Sequence, residues 1–307
     1  MVKHTPVLLD EVLEALDPVV NGRYLDCTFG GGGHTKALLE SASGVEVTSL
    51  DCDPDAGPRA EPFKLQYGDR FRFVDSNFHL MNEVVDGLFD GVLFDLGLSS
   101  FQLAEASKGF SFRLDAPIDM RLDPREGNAA SEFLETASNA SLIRAVREYG
   151  EERRWRRVVD AILTARGTGD LSNTVSAARL VERAIGNTRS RIHPATKTFQ
   201  GIRIAINGEL ESLAMALPQA FRQMKVGGVL VVISFHSLED RITKRFFRRM
   251  AGRPEHKGDS GSVQDRVCHA KMLRTRAIKP KVEEIERNQR SRSARLRAIR
   301  KLSDSNL

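Results

Sequence analysis

Apolar positions along the chain follow two rhythms. Up to residue 94, short β-favouring runs alternate with helix-compatible stretches: Tyr24 to Phe29, Val45 to Leu50, Phe71 to Val74 and Gly91 to Phe94. Val229-Leu230-Val231-Val232-Ile233 is a fifth run, and its unbroken apolar character predicts a strand covered on both faces. Each run leads into polar residues or glycine: Gly30 to Gly33, Asp51-Cys52-Asp53-Pro54, Asp75-Ser76-Asn77, Asp95-Leu96-Gly97-Leu98-Ser99-Ser100 and Ser234-Phe235-His236-Ser237. This order predicts an α/β fold with a parallel sheet, whose ligands sit outside the carboxyl ends of the strands.

From about Gln102 the period becomes helical, and no strand pattern returns before about residue 196. Trp155, Val158, Val159, Ile162 and Leu163 mark one helix face, with Arg153, Arg154, Arg156 and Arg157 around the only tryptophan. Trp155 is on the apolar face and is assigned to the core. Phe199, Ile202, Ile206, Leu210, Leu213 and Leu217 predict one long helix that stops or kinks near Pro218. The strand at 229–233 follows, so the sheet domain is expected to be discontinuous. The division predicted is 1–103 plus 196–307, with 104–195 as an inserted all-helical domain for substrate recognition. Thr5-Pro6 reads as an N-cap and first helical position for a helix over Val7 to Leu16, and Leu238 to Met250 as a basic helix. Gly252 to Ser262 reads as a loop, and Lys281 to Leu302 is too basic to assign.

Composition adds exclusions. The longest strongly apolar run, Val226 to Phe235, is far short of the roughly 20 residues a bilayer span requires. Residues 1–6 lack the apolar region of a signal peptide, so a cytoplasmic protein without membrane contact is expected. Cys27, Cys52 and Cys268 are scattered and form no C-x-x-C pair, so neither a disulfide framework nor a metal site is expected. Residues 241–301 hold 20 Lys/Arg against 6 Asp/Glu, within a chain of net charge +5, so the remainder is acidic. A basic C-terminal third suggests a polyanionic partner.

The glycine turn after the first strand admits two nucleotide readings. A dinucleotide site requires G-x-G-x-x-G/A, but Thr35 or Lys36 takes the third glycine position. A strand ending in Asp26, then glycines, then Asp51 closing the next strand fits S-adenosylmethionine (SAM) better, with Asp51 accepting from ribose hydroxyls. Asp95 occupies the fourth strand end, where amino-directed methyltransferases place an Asp/Asn-Pro-Pro-aromatic tetrad. Both prolines and the aromatic are absent here, and Phe78 or Phe101 is left to supply a ring. Ser234 and His236 are candidates for substrate contact at the last strand end, while Ser237 with Asp240 approximates a capping box. Asp53 reads as an N-cap for the next helix.

His4-Thr5-Pro6-Val7-Leu8-Leu9, Thr28-Phe29-Gly30-Gly31-Gly32-Gly33-His34, Gly109-Phe110-Ser111-Phe112, Asp119-Met120-Arg121, Thr198-Phe199-Gln200 and Ser234-Phe235-His236-Ser237-Leu238-Glu239-Asp240-Arg241 together resemble the MraW/RsmH family. The basic run Arg290 to Arg297 is similar to its closing motif, with Gln289 where the family has proline. The resemblance implies a Rossmann-like class I SAM methyltransferase sheet with an inserted helical domain. It also implies methylation of the exocyclic N4 of one cytidine in small-subunit (16S) ribosomal RNA, within an assembling subunit. It places SAM contacts at Gly32, Gly33, His34, Asp51, Phe78, Asp95 and Gln102. By strand position, Asp95 is the candidate to position the target amine, with the backbone carbonyl of Leu96 as a second acceptor. Two other readings stay open: a SAM-binding ribosome-assembly factor without activity, and a nicotinamide-dependent oxidoreductase.

Overall fold

The computed structural model describes residues 6–187, 192–262 and 266–305. The chain divides into two compact units: one runs to Gly97 and resumes at Leu210, and the other is Leu98–Glu209. The sequence pattern placed these boundaries at 103/104 and 195/196.

The first unit is built on seven strands: β1 (Arg23–Asp26), β2 (Glu46–Asp51), β3 (Phe71–Asp75), β4 (Phe89–Asp95), β5 (Met224–Ser234), β6 (Ala270–Met272) and β7 (Arg295–Lys301). Their order in the sheet is β3-β2-β1-β4-β5-β7-β6. The first five are parallel, while β7 runs antiparallel to β5 and β6 antiparallel to β7. Helices α1 (Leu9–Leu16), α2 (Gly33–Ser41), α3 (Ala56–Tyr67) and α4 (Met81–Val84) precede the excursion into the second unit. In that unit, α5 (Ser100–Ala104), α6 (Ala130–Thr136), α7 (Asn139–Ile143), a π-helical turn at Arg144–Tyr149, α8 (Trp155–Ala165), α9 (Thr174–Ile185) and α10 (Ala195–Asn207) enclose a separate core. The chain then continues through α11 (Glu209–Arg222), α12 (Ser237–Met250) and α13 (Val282–Arg287).

Strand alternation explains why the central runs are apolar at every position. Leu25, Val92, Phe94, Leu230 and Val232 feed one core with Met81, Leu217 and Phe247; Tyr24, Leu93, Val229, Val231 and Ile233 feed the opposite core with Val12, Leu38 and Ala60. Helices therefore cover both faces, as parallel strands require.

Several boundaries differ from the sequence pattern for identifiable reasons. The long helix breaks at Gly208, which caps α10 at φ 56°, while Pro218 sits inside α11. Glycine enters the left-handed region without a Cβ penalty, and that is where the helix stops. Thr5, the expected N-cap, lies outside the described residues; α1 begins at Leu9, after a left-handed Leu8. The basic C-terminal segment holds β7. Its apolar positions Leu296, Ala298 and Ile299 are buried, and the interspersed arginines hid the pattern.

Strand β7 is held by a buried charge cluster. Asp240 on α12 accepts from Arg297 Nε at 2.7 Å and Nη2 at 3.1 Å, and from Arg295 Nη1 at 3.1 Å. Burial opposes the Asp240 charge, but the hydrogen bonds and charges of Arg297 and Arg295 outweigh it and hold the carboxyl below its ordinary range. Asp240→Ala leaves Arg297 buried without its anion and is expected to lower unfolding free energy by about 3 to 5 kcal/mol in urea titrations. A loss below about 1 kcal/mol would show that the pair does not anchor the strand.

Candidate active site at the strand ends

The strand order reverses between β1 and β4, the place where an open α/β sheet takes its ligands, outside the carboxyl ends of the strands. Asp26 ends β1 and Asp95 ends β4 beside that point.

Asp26 is 1% exposed. Its carboxyl accepts from Thr35 Oγ1 at 2.7 Å and from the Thr28 N–H at 3.1 Å. Thr35 Oγ1 lies 2.8 Å from Ser49 Oγ on β2, so one polar chain ties β1, α2 and β2. Thr28 continues it: its Oγ1 lies 3.4 Å from Asp26 Oδ1 and accepts from the Asp95 N–H at 2.7 Å. Burial lifts the Asp26 pKa to about 7, against the hydrogen bonds from Thr35 and Thr28. Thr35 stands at a position a dinucleotide motif gives to glycine, and its hydroxyl serves this internal network. The sequence pattern carries no sign of that network, because its partners come from three separate elements.

The turn itself is shaped from inside. Gly32 has φ 73°, and a Cβ there would lie 2.4 Å from Phe63 Cζ. Rings, not open space, therefore exclude a side chain at Gly32. α2 begins at Gly33, and its first backbone bond runs from Lys36 N to Gly32 O at 2.8 Å. The N–H groups before Lys36 have no acceptor within the helix, and they precede a nine-residue dipole. Asp51, closing β2, accepts from the Gly30 N–H at 2.7 Å and the Asp53 N–H at 2.9 Å, so its carboxylate fixes the turn. Burial raises Asp51 to about 6, with the two N–H bonds opposing. Asp53 is not the N-cap of α3: Asp55 holds that position, and Asp53 Oδ1 accepts the Asp55 N–H at 3.0 Å.

His34, 4% exposed, points Nε2 at the Val7 carbonyl oxygen, 3.0 Å away. A carbonyl only accepts, so Nε2 carries the hydrogen and Nδ1 faces Asp95 Oδ2 at 3.5 Å, beyond a good hydrogen bond. Asp95 Oδ1 is buried with no hydrogen-bond partner among the described residues. Burial, then the nearby Asp26 and Glu239 carboxyls, push the Asp95 pKa well above its ordinary value. Phe78 follows β3 with its ring edge-on to Phe94, centroids 5.4 Å apart.

The remaining sequence candidates are placed differently. Ser234 is 2% exposed and its hydroxyl donates to the Arg295 carbonyl at 3.3 Å, toward β7. The capping box of α12 is one residue earlier than expected: His236 is the N-cap and Glu239, not Asp240, closes it. Glu239 Oε2 accepts from the Phe235 N–H at 2.8 Å, and Glu239 Oε1 lies 3.1 Å from His236 Nε2. Ser237 is the first residue of the helix. Gln102 belongs to the second unit, where its amide and Ser99 form a reciprocal capping box for α5. Glu239, Thr28 and Thr35 were missed from the sequence, where they look like ordinary helix and turn residues.

A carboxyl whose pKa is about 7 in the fold and about 4 in the open chain binds an extra proton only when folded. Its contribution to stability is complete below about pH 4 and is lost as the pH rises through 7, on the order of 4 kcal/mol in all. Asp26→Asn is therefore expected to flatten the fall in melting temperature between pH 4 and 8. Parallel wild-type and variant profiles would refute a protonated Asp26.

Residues 1–302 match the MraW methylase family. Ribosomal RNA small subunit methyltransferase H of Thermomicrobium roseum is 44% identical, over 98% of this chain and 94% of that protein. The proteins of the same name from Granulibacter bethesdensis and Rickettsia typhi are 41% and 42% identical, over 96% and 97% of this chain and 90% and 98% of theirs. Reversal of the strand order at β1 and β4, glycines at the first turn and carboxyls at four strand ends are the features of an α/β nucleotide-type site. The chain belongs to the MraW methylase family, and its cofactor is S-adenosylmethionine.

Proposed function

We propose that this methyltransferase transfers the methyl group of SAM to the exocyclic N4 of a cytidine in small-subunit ribosomal RNA, within an assembling subunit. Support comes from the names of relatives at 41 to 44% identity and from the motif resemblance across the chain. The observation that carries the chemistry is the lone Oδ1 of Asp95 at the switch point.

The residues present fit the cofactor. An unpartnered buried acceptor, a helix N-terminus behind a glycine turn and a β2-end carboxylate suit a ligand with hydroxyl, amine and cationic groups. Gly33 and His34 would meet it through backbone N–H groups, Asp51 would accept from its ribose, and Phe78 would flank its base. When bound, SAM supplies a methyl group on a positively charged sulfur, a leaving group already activated.

The chain's task is then positioning and removal of water. A cytosine amine is a weak nucleophile because its lone pair is delocalised into the ring. In this mechanism Asp95 accepts a hydrogen bond from one N–H and turns the lone pair out of conjugation. His34, fixed by the Val7 carbonyl, stands with Nδ1 3.5 Å from the other Asp95 oxygen. Only the ionised carboxylate offers acceptors on both oxygens. Because burial raises the Asp95 pKa, turnover is expected to rise with pH until that group is ionised.

Two measurements test this reading. Asp95→Asn is expected to lower kcat roughly 100-fold or more on immature small subunits assayed at saturating SAM, which separates turnover from cofactor affinity. Full turnover by that variant would remove the carboxylate from the mechanism. Nucleoside analysis of rRNA from cells lacking the gene is expected to show loss of N4-methylated cytidine. Undiminished N4-methylcytidine there would refute the substrate assignment, and labelled-SAM transfer distinguishes an enzyme from an inactive assembly factor.

A further inference from the structure

The helical unit carries a surface pocket of about 290 Å³ lined, among the described residues, by Arg153, Arg154, Arg156 and Arg157. All four are exposed, and among the described residues no carboxylate shares the lining. They sit at the start of α8, whose opposite face buries Val158, Val159, Ile162 and Ala165. That apolar face fixes the helix rotation and keeps the arginines at the surface.

Two of the four are held in place. Arg154, the N-cap of α8, donates to the Ile185 carbonyl at the end of α9, and lies 3.4 Å from the Asn187 carbonyl. Arg156 lies over the Trp155 ring at 4.4 Å, and Arg147 over the same ring at 5.3 Å. Trp155 is half-buried against the helical core, so it serves as a fixed platform that orders a guanidinium plane. The closest carboxylate in the chain order, Glu152, accepts the Arg154 backbone N–H at 2.7 Å. Arg153, Arg156 and Arg157 make no ion pair among the described residues.

We propose that this arginine pocket binds backbone phosphates of the RNA substrate. Planar guanidinium groups present paired N–H donors that match phosphate oxygens, and prior ordering on Trp155 reduces what is lost on binding. The positive end of the 11-residue α8 adds to the attraction. Such contacts fix the position of an RNA without reading its sequence. The inference rests on the proposed rRNA substrate, and it assigns the anchoring of that substrate to a set of residues separate from Asp95.

The test is the full-length triple variant Arg153→Gln, Arg156→Gln, Arg157→Gln, titrated with a small-subunit rRNA fragment across a salt series. The slope of log K against log salt is expected to fall by about 2 to 3, with RNA affinity reduced and SAM affinity and melting temperature unchanged. The single variant Arg157→Gln is expected to lower the slope by about 1, which keeps the test valid if the triple variant folds poorly. Restoring lysine at the three positions is expected to recover most of the slope. Wild-type slope and affinity in the triple variant would overturn the pocket alone. Wild-type protein that binds SAM but no rRNA would overturn the substrate reading and the pocket with it. Equal retention of polyglutamate and RNA by the wild-type pocket would make it an acidic-peptide site and also overturn the proposal.

Discussion

Burial of the Asp26 carboxyl at the end of β1 is the constraint on which the strand-end site depends. A carboxyl taken out of water requires either a proton or a full set of donors. Thr28 and Thr35 supply the donors, and each has a second attachment: Thr28 to the Asp95 backbone, Thr35 to Ser49. One buried acid thus sets the spacing of β1, β2, β4 and the start of α2. Asp51 does the same on the outer side of the turn, where it grips Gly30. The glycines follow from this geometry, since Phe29 and Phe63 leave no volume beside Gly32.

The same acids give the site its electrostatic character. After burial, Asp26 and Glu239 add to the cost of ionising Asp95, and a nearby cationic group lowers such a cost. A neutral dinucleotide ring or a pyrophosphate has no such use for three carboxyls. In the proposed site, a sulfonium nucleoside is therefore suited by the strand-end acids as much as by the glycine turn.

Charge is distributed differently elsewhere. The basic C-terminal segment, read from the sequence as surface for a polyanion, is partly internal. Arg295 and Arg297 neutralise Asp240, and the buried Lys301 amine donates to the Met224 carbonyl at 2.7 Å. Those cations hold β7 in the sheet, and Arg297 and Lys301 are turned away from solvent. At the head of α8, by contrast, Arg153, Arg156 and Arg157 have no such internal partners among the described residues, and they are exposed.

The sequence by itself determined the elements whose signal is local. Five parallel strands, their polar ends, the discontinuous sheet and the helical excursion were legible because periodicity and turn chemistry act over a few residues. The glycine turn and Asp51 were legible for the same reason. The further site expectations came from family motifs. Only the tertiary structure decided that Gly208 and not Pro218 ends the helix, that His236 caps α12 with Glu239, and that an arginine-rich run becomes a buried strand. It also decided which oxygen of Asp95 is left without a partner, and that Thr35 completes a network instead of a cradle. Each of these depends on groups far apart in the chain meeting at one point, and the free energy of such a meeting is written in no single stretch of sequence.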